Sequence, residues 1–245
     1  CDPVPRIRMP HHAHDVSIAD AQRLFLARGV DGRHNHMIRL NKRGRKLIEN
    51  RLSRLVLKDG SFAQHSVNYH RMFLDTCSFM ETFRRLYGEP TFSEAALQKC
   101  AAATAWLAGF TDFASGDAPN LGANDGARLF VLHRLPFRDH RPSVQWASSL
   151  FSRKNVYQSG EYDEQIGWLE LRASEVQAGA LYSSAFWPDG GYAKLQTDNV
   201  WAMLRLPKYQ FRPSHADALH LDFWRDGHSV LGDAGSYSYN TAERW

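Results

Sequence analysis

The spacing of apolar residues changes period along this 245-residue chain, and that change limits it to folds in which helices come first and strands follow. Through the first two-thirds the period is helical. In residues 43–57, Ile48, Leu52, Leu55 and Val56 share one face, with Arg45, Glu49 and Arg54 elsewhere, and Gly60 in Lys58-Asp59-Gly60 supplies the stop. Residues 70–87 place Phe73, Cys77, Met80 and Tyr87 at helical spacing ahead of Gly88 and Pro90. Ser93 is a fitting N-cap for a third helix, in which Leu97, Cys100, Thr104 and Leu107 recur on one face. Successive amphipathic helices joined by short turns suggest a helical array or toroid.

The last sixty or so residues read differently. Pro188-Asp189-Gly190-Gly191 is strong turn punctuation. Leu219, Leu221 and Phe223 then alternate with His220, Asp222 and Trp224, which is the period of a strand. Asp226-Gly227 is a good hairpin turn, and Ser229–Leu231 is the returning strand. The expected class is therefore α+β, with a helical unit over residues 1–180, truncated at its start, and the first strands of an antiparallel sheet over 181–245. The change of character falls at about residues 178–188. So few strands would leave open edges and little core, so the natural chain is expected to continue beyond Trp245.

Composition narrows the partners. The net charge of +4 and the seven tryptophans suit an acidic partner and a sugar-binding cleft, because an aromatic face packs on the apolar face of a pyranose, although core packing is the commoner use of such residues. No RNA-binding or zinc-finger signature and no dense Lys/Arg block is present, which argues against nucleic acid. No stretch reaches the length of a membrane span. Three cysteines make no disulfide framework; Cys77 and Cys100 read as buried small hydrophobes, with a single Cys77–Cys100 bridge as the alternative. Oligomeric state is left open.

Four segments carry a resemblance. They are Asp59-Gly60-Ser61-Phe62-Ala63-Gln64-His65-Ser66-Val67-Asn68-Tyr69-His70-Arg71; Ala118-Pro119-Asn120-Leu121-Gly122-Ala123-Asn124-Asp125-Gly126-Ala127; Phe137-Arg138-Asp139-His140-Arg141-Pro142-Ser143; and His215-Ala216-Asp217-Ala218-Leu219 with Gly232-Asp233-Ala234-Gly235-Ser236-Tyr237-Ser238-Tyr239. Together, from about His12 onward, they resemble the heparinase II/III-like polysaccharide lyases, in particular bacterial proteins that accompany exopolysaccharide gene clusters. The resemblance implies an incomplete (α/α) toroid followed by a stacked antiparallel β-sandwich. It also implies β-elimination at a uronic acid, an acidic polysaccharide substrate, and a periplasmic or extracellular location.

Such a carbon–oxygen lyase removes the C5 proton beside a uronate carboxylate and expels the C4 glycosidic oxygen. The carboxylate must be neutralised by donors, and the site must supply a base and an acid. The resemblance places Tyr69 as base or acid. It sets His14 as a second catalytic group, although the family's preceding Asn is Ala13 here. It places His215 on the first core strand. Asn120, Asn124 and Asp125 suit sugar hydroxyls, or equally a tight turn. Arg138 and Arg141 suit uronate carboxylates, or helix-end ion pairs. His70, beside Tyr69, and Tyr239, which alternates with Tyr237 on a strand, complete the expected substrate contacts.

No cofactor is required by this chemistry. The resemblance does allow a structural zinc, to which Asp217 and Asp233 would be ligands, although two ligands hold zinc poorly. A non-catalytic glycan-binding or assembly protein on the same fold is the second reading, favoured by Ala13. A glycoside hydrolase would need two carboxylates across a cleft, and no motif pairs Asp125 with Asp139.

Overall fold

The structure is a computed structural model, and it describes residues 34–129, 131–171, 183–208 and 217–235, with side chains from residue 42. Four helices of more than two turns come first: α1 (His34–Leu55), α2 (Val67–Leu86), α3 (Glu94–Phe110) and α4 (Arg141–Phe151). A 3₁₀ turn (Glu161–Asp163) leads into the short α5 (Glu164–Trp168). Helix α3 packs on α1, α2 and α4, and α2 packs on α4. Five strands follow, β1 (Ala185–Trp187), β2 (Tyr192–Gln196), β3 (Val200–Arg205), β4 (Leu221–Arg225) and β5 (His228–Leu231), as an antiparallel meander in chain order. The α+β class is therefore observed. No described helix is long and apolar enough to cross a membrane.

The helix starts follow their capping residues. The Ser66 hydroxyl accepts the Tyr69 amide at 3.1 Å and so fixes the first turn of α2. Ser93 does the same for α3 through the Ala96 amide. Helix α4, not anticipated from the sequence, has Pro142 in its first turn and is buried on every side, from Pro142 to Leu150. Ser143, Gln145, Ser148 and Ser149 lie inside with Val144, Trp146 and Ala147, so its polar face is buried along with its apolar one. Cys77 and Cys100 are both buried free thiols; their mutual hydrogen bond, and then burial, push the Cys100 thiol well up.

The alternation in β4 is present, but its buried face is the one carrying the acid. Asp222 and Trp224 point inward while Leu221 is exposed. Leu219 lies outside the strand, in a turn with φ 62°. The inner face of the sheet as a whole carries Tyr192, Lys194, Trp201, Met203, Arg205, Asp222 and Trp224. The outer face carries apolar residues such as Phe186 and Leu195, the latter 71% exposed.

Each inward polar group has a partner, which is what allows its burial. Lys194 donates to the Gly109 carbonyl at the end of α3, 2.5 Å away, and lies over the Trp201 ring. Asp222 accepts the Trp224 indole N–H at 2.8 Å. Trp201 and Trp224, register partners on β3 and β4, stack at 5.0 Å. Asp226 (φ 50°) and Gly227 (φ 80°) give the β4–β5 hairpin the left-handed pair that a two-residue primed turn needs.

Helices and sheet share one core. Tyr192 packs against Trp106 and Phe110, and Trp187 against Phe110. The Asp59-Gly60-Ser61 motif ties the first hairpin to the helices. One Asp59 oxygen accepts the amides of Asp189 (2.8 Å) and Gly190 (3.0 Å), and the other accepts Ser61. Gly60 is required there: its φ is +88°, and a Cβ would fall 2.1 Å from the Ala102 carbonyl oxygen of α3.

Candidate active site

The loop from Ser115 to Gly126 wraps the N-terminus of α2, and both pieces are held by backbone bonds. The Val67 amide donates to the Leu121 carbonyl at 3.2 Å, and the Ser66 hydroxyl donates to the Ala123 carbonyl at 2.6 Å. Gly122 lies against the turn: a Cβ there would sit 2.3 Å from the His65 carbonyl oxygen. This close approach brings Tyr69 and Asp125 together, 56 residues apart in sequence, with the phenolic hydroxyl donating to the Asp125 carboxylate at 2.7 Å. The other Asp125 oxygen accepts the Ala127 amide, which aims the carboxylate at the phenol. Tyr69 is half-buried and Asp125 exposed, so solvent and ligands reach this bond.

The remaining loop residues brace the same corner. Asn124 donates to Asn120 at 3.0 Å and accepts the Gly126 amide at 3.1 Å. Asn68, just before Tyr69, donates to the Ala127 carbonyl (3.3 Å) and accepts from Arg71 (2.7 Å). Arg71 is 1% exposed; it also donates to the Phe137 carbonyl and covers the Phe137 ring. Burial lowers its pKa to about 10, so it remains a cation. A small cleft beside these groups is lined by Asn68, Asn120, Asn124, Phe137, Arg138 and His140.

Two expected substrate contacts do not face this cleft. His70 is 1% exposed, stacked on Trp106 at 4.6 Å, with Nε2 on the Ala103 carbonyl at 2.9 Å. Burial lowers its pKa to about 4, so it is a neutral core group. Helix geometry explains the correction: neighbours on a helix diverge by about 100°, so with Tyr69 facing the loop, His70 faces α3. Arg141 is spent on Asp139, which takes its Nε (3.1 and 3.2 Å) and terminal nitrogen (2.6 Å), and its guanidinium lies over Tyr162. It fixes the start of α4. Arg138 pairs with Asp117 at 2.7 Å and donates to the Ala118 carbonyl, yet its side chain stays 43% exposed at the cleft.

A sealed polar chain joins the turn before Tyr69 to the sheet. Asp217 and Arg205 form an ion pair at 2.8 Å with both side chains buried. Arg205 also donates to the Tyr192 hydroxyl. The Tyr192 hydroxyl is in turn hydrogen-bonded to His65 Nδ1, 3.4 Å away. Burial, and then the Arg205 charge, lower the His65 pKa to about 4, which leaves Nδ1 free to accept.

Both carboxylates expected at a zinc have other partners here. Asp217 already faces a buried cation, and Asp233 accepts the Gly235 amide of its own turn at 2.6 Å. Among the described residues no three His, Cys, Asp or Glu side chains converge as a ligand group. His14, His215, Tyr237 and Tyr239 lie outside the described residues. Sequence reasoning did not single out Asn68 or Arg71 as site residues, although both stand in the Tyr69 motif. It also passed over His65, Tyr192 and Arg205, which no local pattern connects.

The helical layer and the antiparallel meander together make a two-part fold that is similar to those of solved heparinases. It is similar to a heparinase III with methylated lysines (TM-score 0.69, 14% identity, 92% of this chain and 33% of that one). It is also similar to the heparan sulfate lyase HepC from Pedobacter heparinus (TM-score 0.63, 14% identity, 97% and 34%). A further heparinase III aligns with a TM-score of 0.64 at 12% identity over 94% of this chain and 35% of that one. The chain thus spans about a third of the length of each. Residues 180–245 match the family model described as Heparinase II/III-like, C-terminal. Among curated proteins no match was found.

Proposed function

We propose that this chain is the part of a polysaccharide lyase that carries Tyr69, acting on an acidic, uronate-containing glycan by β-elimination. The observation that carries the reading is the Tyr69–Asp125 hydrogen bond, whose sequence neighbours Asn68 and Asn124 line a small cleft with Asn120 and Arg138. The heparinase-like fold and family support it. Its helices would be part of an (α/α) toroid, and the whole enzyme would work outside the cytoplasm.

The geometry bears on which proton Tyr69 handles. A carboxylate and a phenolate are both acceptors and cannot bond to each other, so the phenol facing Asp125 keeps its proton. Tyr69 is then set as the acid that protonates the departing C4 oxygen, with Asp125 holding the hydroxyl in place. The base that takes the C5 proton falls to a histidine, His215 or His14. Arg138, exposed at the cleft and only partly neutralised by Asp117, offsets the uronate charge.

The test follows ultraviolet absorbance, because β-elimination leaves a C4=C5 double bond conjugated to the carboxylate. The chain, and a version extended past Trp245, are incubated with a panel of uronate polysaccharides. Absorbance should rise with at least one, and Tyr69→Phe should lower the rate by about a hundredfold or more, as loss of a general acid does. Binding without any rise in the folded, extended protein would instead establish the non-catalytic glycan-binding reading.

A further inference from the structure

The positive charge of this chain is concentrated in one place. Residues 42–58 hold seven Lys and Arg against a single acid, Glu49, while the whole chain carries a net charge of only +4. The rest of the chain is therefore slightly acidic, and the excess lies on the second half of α1 and the turn after it.

Helix geometry sorts these charges into two groups. Ile48, Leu52 and Leu55 are buried in the core, with Arg45 and Arg51 half-buried beside them. Arg45 is spent on the Pro90 and Thr91 carbonyls and on Glu49, 3.5 Å away. Lys42, Arg43, Lys46 and Arg54 are exposed and share the solvent side with Asn50 and Ser53. At about 100° per residue these side chains fall within an arc of about 120°, and Lys42 to Arg54 runs about 18 Å along the axis.

The acids close in sequence do not neutralise this face. Glu49 faces Arg45 and accepts the Ser93 amide. Asp59 accepts the amides of Ser61, Asp189 and Gly190. Lys42 and Lys46, four residues apart on the helix, repel each other. A bound polyanion would relieve that repulsion. The face carries no exposed apolar side chain to enter a membrane and no aromatic ring to stack on a base. A row of point charges matches a linear polyanion whose charges are spaced along an extended chain.

We propose that the Lys42, Arg43, Lys46 and Arg54 face of α1 is an exosite, separate from the cleft beside Tyr69, on which a further stretch of the acidic polysaccharide lies. None of these residues lines that cleft. The glycan as partner rests on the lyase reading; the charge of the face does not. Holding a distant part of the same chain raises the effective concentration of the reacting part, so long polymers gain and short ones do not.

The test changes Lys42, Arg43, Lys46 and Arg54 together to Gln in the whole chain, with urea denaturation confirming that the variant is folded. Wild type and variant are titrated with polygalacturonate, alginate, neutral dextran, double-stranded DNA and phosphatidylglycerol vesicles. The variant should bind a polyuronate about tenfold more weakly at low salt, and the difference should close toward 1 M salt, where screening shortens to about 3 Å. Dextran should not distinguish the two proteins. No polyuronate binding by the wild type, or equal binding by a folded variant, overturns the exosite. DNA or vesicles bound more tightly than any polyuronate, and lost in the same variant, overturn the glycan as its partner.

Tyr69→Phe keeps this face, so its polyuronate binding should match the wild type whether or not the chain cleaves glycan. Where the chain extended past Trp245 does cleave, the quadruple variant should raise KM for the polymer about tenfold with kcat and the KM for a tetrasaccharide unchanged. Equal changes for polymer and tetrasaccharide would put the four cations at the reacting sugars and overturn the exosite.

Discussion

The two ends of the site are built on opposite principles. At Tyr69 the hydrogen bond to Asp125 is open to solvent, and its acceptor stands on a loop with left-handed glycines at 122 and 126. At the sheet, Asp217, Arg205, Tyr192 and His65 form a chain sealed from water. The sealed chain ends at His65, four residues before Tyr69, and starts at Asp217, two residues after His215. In a dry interior an ion pair is held by geometry, and breaking half of it strands a charge; in water the same bond exchanges with solvent at little change in stability. The buried end is suited to fixing the turn before Tyr69 against the sheet. The open end is suited to giving up its bond to a substrate.

That contrast breaks first at Arg205. Arg205→Met removes a buried cation and leaves Asp217 without its counter-charge, for which the expected loss is about 3–5 kcal/mol of stability. Urea denaturation of the folded chain measures it. The double variant Arg205→Met with Asp217→Leu should recover much of that loss, because an apolar pair of similar volume strands no charge. A loss below about 1 kcal/mol in the single variant would mean the pair is solvated and the two ends do not differ.

A smaller effect comes from the neutral histidines. Burial lowers the pKa of His70 from 6.5 to about 4, because a proton on Nδ1 would have no acceptor there. The unfolded chain takes up that proton between pH 6.5 and about 4 and the folded chain does not, so stability falls as pH falls through this window. At pH 5 the expected loss from His70 alone is about 2 kcal/mol relative to pH 7. Asp75 works in the opposite sense: burial raises its pKa to about 6, so its protonation favours the folded chain on acidification. Comparing the wild type with His70→Gln isolates the histidine. The glutamine still donates to Ala103 but does not titrate, and its stability should drop less between pH 7 and pH 5. Parallel drops in the two proteins would contradict a neutral, buried His70.

The parts of the molecule that the sequence revealed were those whose signals are local. Ser93 caps α3 because a hydroxyl before a run of helix formers can do little else, and Asp226-Gly227 turns the last hairpin because it tolerates left-handed backbone. Helix α4 has apolar residues at helical spacing, Val144, Ala147 and Phe151, but only eleven residues, and the burial of its polar Gln145 and Ser148 has no local signal. Strand β3 carried no polar alternation, since Val200, Ala202 and Leu204 face out while Trp201 and Met203 face in. Tyr69 was legible through its motif, and Asp125 as a loop carboxylate, but their meeting was not. It depends on Gly122 letting the loop close on the His65 carbonyl, a contact spanning 57 residues. The relay from Asp217 to His65 was invisible for the same reason: each member sits in a different segment, and only the packed interface joins them.

The smallest expected change in stability belongs to the open end, and it should coincide with a large change in rate. Asp125 is exposed, and its bond to Tyr69 is solvated, so Asp125→Ala should shift stability by less than about 1 kcal/mol. If Asp125 positions the phenol, freeing the hydroxyl should lower kcat about tenfold with little change in KM, because the misplaced proton matters only as the leaving oxygen departs. Asp125→Asn separates position from charge. Its amide oxygen still accepts from the phenol and still receives the Ala127 amide, so it should restore most of the rate lost in the alanine variant. If the asparagine variant is as slow as the alanine one, the carboxylate's charge, and not its aim, is what Tyr69 uses, and the phenol's proton has Asp125 as its destination during turnover. If neither variant slows, the Tyr69–Asp125 bond belongs to the loop's packing, and the open end resembles the sealed one in purpose while differing from it in exposure.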